Sequence, residues 1–248
     1  VSANASPAPV SRVETLAIMQ PTFLPWAGYF ALMDRADRFV LLDDVQFDKR
    51  SWQQRNRIKT ASGPLWLTAP VLTKGLRDQT VAQAQLNPDA EFAATALKTI
   101  EHAYKKAPYY TPVMERVAPA FERAGGGLCA LNVALIQALA GLIGLNADLV
   151  NSSATPVSST KARRLADLCI MHGAARYLSP PGSKEYLDGD PALGDAGVEL
   201  LYFTYEHPIW PQLHGPFEPY MSALDLVMNA LPGSLEILRS GVGEDQAA

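Results

Sequence analysis

Gln20, Asp43, Asp44 and Gln46 precede a basic run, Lys49, Arg50, Arg55, Arg57 and Lys59, which is interleaved with Trp52, Gln53, Gln54 and Asn56. Adjacent carboxylates can take a proton or hold a cation, an arginine fork matches phosphate or carboxylate, and lysine offers a point charge. Trp52 has a face on which a base or a sugar can stack. Either aspartate alone would be accounted for as a turn residue, and any single cation as the solvated face of a hairpin. The grouping is what points to a polar ligand site. A patch contacting RNA would look similar, but the net charge of −4 argues against general nucleic-acid binding. It leaves open a small or phosphorylated substrate, or the end of an aminoacyl-tRNA.

The elements around these residues follow from hydrophobic period and punctuation. Thr15 to Met19 is a short apolar run ending at Gln20-Pro21, as expected of a buried strand, and Phe39 to Leu42 is a second one closed by Asp43-Asp44. Between them Pro25 to Arg35 has helical spacing with proline at its first position. Strand, helix and strand so closely spaced form a βαβ unit with parallel strands, and predict an α/β fold with a mostly parallel sheet. In such sheets ligands bind outside the carboxyl ends of the strands. That places Gln20, Asp43, Asp44 and Gln46 around one crevice, with the N–H groups of the helix near Pro25 aimed at an anion.

Leu65 to Val71 reads as a further strand after the Gly63-Pro64 turn. A helical section spans about 88–146, with helices over Pro88–Ala107, Thr111–Ala124 and Leu128–Leu145. Leu128 to Val150 is apolar, but Asn132, Gln137, Asn146 and Asp148 interrupt it, favouring a buried helix over a membrane span. Strand and helix then alternate through Asp148–Ser152, Lys161–His172, Arg176–Ser179, Val198–Tyr205, Ala223–Met228 and Ser234–Ser240. The expected organisation is a disordered leader at 1–12, one domain at 13–240 and a fraying tail at 241–248.

Cys129 and Cys169 lie in apolar helical stretches without metal or redox spacing, which suits buried thiols in a cytoplasmic protein. His102 and His172 fall in expected helices. His207 and His214 flank Trp210 in HPIWPQLHG and are candidates for a general base, at a spacing that makes no zinc motif. There is no GxSxG, P-loop or GxGxxG, and no cofactor is specified. Ser158-Ser159-Thr160-Lys161 either caps a helix or holds a phosphate at its start.

The segments IMQPTFLPWAGYF, FVLLDDVQFDKRSWQQRNRIK and LWLTAPV, followed by YLSPPGSKEYL, HPIWPQL and PFEPYMSALDLVMNALP, resemble the WbqC-like family over about residues 15–233. Members commonly have His directly before the Gln-Pro, where this chain has Met19. The resemblance implies an amide-forming transfer from an aminoacyl or acyl donor to an amino-bearing acceptor, such as an amino sugar, in glycan or specialised-metabolite biosynthesis. In that reading Asp43 or Asp44 is the base, and Gln20 and Asn56 contact the oxyanion or a carboxylate. Arg50, Arg55 and Lys59 hold phosphates, Trp26, Tyr29 and Trp52 wall the pocket, and Gln46, Ser159, Lys161 and Tyr186 add substrate contacts. A more distant similarity, of the Pro-Trp-Ala-Gly-Tyr helix start and the SSTKARR segment, to nucleotidyltransferases and class I synthetases implies adenylation with Asp43 and Asp44 on Mg²⁺. A non-catalytic binding scaffold is the third reading.

Overall fold

The computed structural model describes residues 14–123 and 125–248, so the leader expected at 1–12 lies outside the described residues. The chain runs β1 (Thr15–Met19), α1 (Ala27–Asp34), β2 (Arg38–Leu41), a hairpin of β3 (Arg55–Thr60) and β4 (Gly63–Thr68), then α2 (Phe92–Tyr104), α3 (Tyr110–Arg123) and α4 (Leu128–Ile143). It continues through β5 (Asp148–Asn151), α5 (Lys161–His172), β6 (Arg176–Ser179), two single-turn helices α6 (Lys184–Leu187) and α7 (Ala192–Asp195), and β7 (Glu199–Tyr202). It ends with α8 (Ala223–Ala230), α9 (Ser234–Ser240) and β8 (Gln246–Ala247).

The main sheet has the order β5-β2-β1-β6-β7-β8, and its first five strands are parallel. Strand period two divides the core into two layers. Ala17, Phe39, Leu41 and Leu178 face α1, α4 and α8, whereas Leu16, Ile18, Val40 and Tyr177 face α5 and α7. The connection after β1 therefore covers one face and the one before β6 covers the other. This is an α/β fold of doubly wound type, and the strand order reverses between β1 and β6. No helix among the described residues is long and apolar enough to cross a membrane. The apolar run at Leu128 is α4, buried under the sheet with α3 and α8.

Some boundaries differ from expectation for local reasons. Helix α1 starts at Ala27, because the Pro25 carbonyl is taken by the Ala223 amide (2.7 Å) and Trp26 becomes the N-cap. The helix expected from Pro88 is broken at Glu91, whose φ of 42° is left-handed, so a 3₁₀ turn at Pro88–Ala90 precedes α2. The tail expected to fray instead pairs Gln246 and Ala247 antiparallel with β7.

Candidate ligand site

The carboxyl end of β1 opens into a cavity of about 300 Å³ lined by Met19, Thr22, Trp26, Tyr29, Trp52, Asn56, Arg57 and Tyr220. Its wall is assembled from four separate segments. Leu24 turns the chain with a left-handed φ of 45°, and its carbonyl accepts from Asn56 Nδ2 at 2.7 Å. The Phe23 amide donates to the Trp52 carbonyl (2.9 Å), and the Ser222 amide donates to the Arg57 carbonyl (2.9 Å). The β3–β4 hairpin and the Tyr220–Ser222 segment are thus tied to the loop that follows β1. Trp26 folds its indole across the first turn of α1, directly over Gly28. A Cβ at Gly28 would meet the indole ring carbons inside van der Waals distance, so glycine is needed there for Trp26 to form the wall.

Behind Trp26 stands an aromatic stack. Its ring centroid is 5.6 Å from Tyr205, 6.0 Å from His207 and 5.7 Å from Tyr220. His207 Nε2 accepts the Tyr220 amide at 3.0 Å, and Nδ1 donates to the Pro208 carbonyl at 2.8 Å, which fixes one neutral tautomer. Burial holds the His207 pKa below the ordinary imidazole value, outweighing its backbone hydrogen bonds. Tyr220 itself has a φ of 58°, a strained conformation for a residue with a Cβ. Tyr29 is fully enclosed and its hydroxyl donates to the Gln20 carbonyl (3.2 Å). Burial, with the nearby Cys129, pushes its pKa well up, so it stays a neutral donor.

The polar side of the cavity is Arg57. One Nη2 donates to the Tyr220 carbonyl at 3.3 Å, but its buried Nε–H has no partner. An unmet buried N–H costs about 1–3 kcal/mol, more for a charged group, and an anion that reached it would remove that cost.

The carboxylates lie elsewhere. Asp43 is 1% exposed, and its Oδ1 accepts from Ser152 Oγ (3.1 Å) and the Ser153 amide (2.9 Å). Its Oδ2 accepts from Asn151 Nδ2 and Ser153 Oγ, both at 2.8 Å. Asp44 takes the Ser152 hydroxyl and an ion pair with Arg164; the single Ser152 proton serves one aspartate at a time. Both carboxylates therefore brace the turn after β5 against the end of β2. Asp43 is an anchor whose lone pairs are occupied, which corrects its expected role as a free base. Cys129 packs beside it, its thiol pushed up to about 12 by burial and by the Asp43 charge.

Trp26, Tyr29, Trp52 and Asn56 line one cavity, and Arg55 lies just outside, over Trp66. The other expected residues diverge. Gln20 is exposed and accepts from Gln53 Nε2 at 2.8 Å, although β1 and β2 are neighbours. Lys59 is 2% exposed and donates to Gln212 Oε1 (3.1 Å) and to the Gly215 and Pro216 carbonyls, so it cannot hold a phosphate. His214 Nε2 is bound to the Ala103 carbonyl (2.8 Å) and lies away from the cavity wall. Gln46 donates to the Arg77 carbonyl (3.0 Å), and Arg50 is exposed with a left-handed φ of 66°. Ser159 donates to Asp167 (2.6 Å), while Lys161 and Tyr186 are exposed on other elements. Met19, Thr22 and Tyr220, which were not expected there, complete the wall with Arg57 of the basic run. Only Arg57 carried a signal, two residues from Arg55 on the same strand face.

A doubly wound α/β protein with an aromatic cavity at the end of its first strand defines the class. The profile of the WbqC-like protein family matches residues 20–237, and the chain belongs to that family. It is also similar to an uncharacterized protein of Mycobacterium tuberculosis, with 32% identity over 229 residues covering 92% of this chain and 98% of the relative. No solved structure matches it.

Proposed function

We propose that the protein is a transferase acting on a small anionic, ring-bearing metabolite, which it binds in the cavity beneath Trp26. The observation that carries this reading is the Arg57 Nε–H, buried without a partner on a residue of a wall that also holds the rings of Trp26, Tyr29, Trp52 and Tyr220. Pockets of this kind combine apolar rings with a few convergent polar groups. Joining an aminoacyl or acyl donor to an amine remains the reaction we favour, on the family resemblance. The wall supplies donors for a developing oxyanion in Arg57, Asn56 and the Tyr220 hydroxyl. It holds no carboxylate, imidazole or amine, so a base would come from the substrate or from Asp44, which lies outside the wall and would first have to release Ser152 or Arg164.

That same lack of an acid–base group favours a second reading, a scaffold that binds the metabolite without turnover. Met19 is one of the wall residues, so this chain has a thioether at the position where the family resemblance implies that many members have an imidazole. The adenylating alternative is weaker, because Asp43 and Asp44 would have to give up their serine, asparagine and arginine partners to hold Mg²⁺. A cytoplasmic setting belongs to the same proposal, both cysteines being free and buried.

Thermal stabilisation by a panel of ring-bearing carboxylates and phosphates tests the reading. A ligand at about 100 times its Kd stabilises by about 2.7 kcal/mol. We expect a shift that Arg57→Gln and Trp26→Ala both remove, and a shift indifferent to both would place the ligand elsewhere. With a ligand in hand, loss of turnover in Asp44→Asn with binding intact supports transfer, and absence of turnover in the wild type supports the scaffold.

A further inference from the structure

The outer face of the β3–β4 hairpin carries groups that the cavity alone does not use. Arg57 lies opposite Trp66 in the ladder and Arg55 opposite Thr68, so Arg55, Arg57 and Trp66 share one face while Asn56, Ile58 and Leu67 are buried on the other. Trp52, 51% exposed, and Trp66, 43% exposed, have ring centroids 5.4 Å apart. The Arg55 guanidinium carbon sits 4.5 Å from the Trp66 ring centroid, and that of Arg57 sits at 5.7 Å. None of the ion pairs among the described residues involves either arginine. A guanidinium stacked on an indole keeps its in-plane N–H groups for an anion's oxygens, and on Arg57, whose Nε is buried and whose Nη2 donates to the Tyr220 carbonyl, Nη1 is the group left for that role.

We propose that this face, continuous with the cavity through Trp52 and Arg57, binds a nucleoside phosphate. Its base stacks on the Trp52–Trp66 shelf, and its phosphate is held by Arg55 and Arg57 at the cavity mouth. The choice follows from what each ligand chemistry would leave unused. A neutral sugar would cover the indoles and leave two cations uncompensated. Inorganic phosphate would neutralise the cations and leave two large aromatic faces in water. A nucleoside phosphate engages both sets, whether it arrives as a free nucleotide, a nucleotide-linked sugar or the 3′ end of an RNA. The inference rests on the cavity reading, whose metabolite would then be part of a larger nucleotide-bearing molecule.

Titration of the full chain with AMP, followed by calorimetry and tryptophan fluorescence, tests it, with adenosine and inorganic phosphate as partial ligands. A nucleotide-sugar and an acceptor-stem RNA hairpin form separate arms, and the tightest arm identifies the source. AMP should bind more tightly than either partial ligand. Trp66→Ala should weaken AMP on the order of ten-fold, as for loss of one stacked base, with Trp66→Phe recovering part of the loss. Arg55→Gln should weaken AMP and lessen its dependence on salt. Unsaturable AMP binding, or equal binding by wild type, Trp66→Ala and Arg55→Gln, overturns the proposal. The cavity reading survives that result if a ring-bearing carboxylate still binds in an Arg57-dependent way. AMP binding that is lost in Trp66→Ala but untouched by Trp26→Ala supports the shelf, and the cavity reading is then decided by whether the ring-bearing carboxylate still binds.

Discussion

The carboxylate cluster at the ends of β2 and β5 and the aromatic cavity at the end of β1 lie on the same edge of the sheet, yet they differ in what their polar groups still lack. Asp43 receives hydrogen bonds from Asn151, Ser152 and Ser153 and is sealed from water. Arg57 keeps a buried N–H with nothing to receive it, and Tyr220 beside it holds a left-handed backbone. A saturated cluster stabilises a fold, while an unsaturated and strained one has capacity left for a ligand. Density of charged residues does not separate the two, and accounting for each donor and acceptor does.

The largest expected effect tests the saturated side. Asp43→Ala strands the donors of Asn151, Ser152 and Ser153 in a buried turn and should cost about 3 kcal/mol or more in urea unfolding. Ligand affinity of the protein that remains folded should be unchanged, and a selective loss of affinity would join the two regions functionally. Gly28→Ala attacks the unsaturated side by overpacking. It should cost about 1–3 kcal/mol of stability and, by displacing the Trp26 indole, lower ligand affinity further than its stability loss explains.

A smaller effect is acid sensitivity centred on His207. Its folded pKa lies below the unfolded value, so the unfolded chain binds more protons between those two values and stability rises with pH across that window. Stability contributed above the ordinary imidazole pKa is therefore lost as pH falls toward the folded pKa. Protonation also turns Nε2 from an acceptor into a donor facing the Tyr220 amide, so affinity should fall as pH drops through the folded pKa. His172, depressed mainly by burial and then by Arg38, adds a stability loss of the same sign far from the cavity. Melting curves from pH 5 to 7.5 should thus flatten partly in His207→Phe, whereas the pH dependence of affinity should vanish. The smallest effect is at the cap of α8, where Ser222 Oγ accepts the Leu224 amide at 3.1 Å. Ser222→Ala should cost about 1 kcal/mol by calorimetric melting while leaving affinity near wild type.

The elements were legible wherever hydrophobic period and capping are local. β1 at Thr15–Met19, α5 at Lys161–His172, β6 at Arg176–Ser179 and α9 at Ser234–Ser240 coincide with the expected spans. The single-turn helices α6 and α7 escaped because four residues are too few to show a helical repeat. The tail strand escaped because two exposed residues carry no pattern, and its pairing depends on the free edge of β7.

Half of the cavity wall was named from composition near Gln20–Lys59, where Trp26, Tyr29, Trp52 and Asn56 stand out as rings and a carboxamide among polar residues. The amino-acid sequence by itself determined an α/β fold begun by a parallel βαβ unit, because strand and helix periods are written into neighbouring residues. It also placed polar candidates, Gln20, Asp43 and Asp44, directly after the first two strands. Only the tertiary structure decided which of them remain available. Asp43 and Lys59 are silenced by partners 86–157 residues away in the chain, and Tyr220 reaches Arg57 across 163 residues. Whether a donor or acceptor is satisfied depends on such distant neighbours, and no local spacing encodes them.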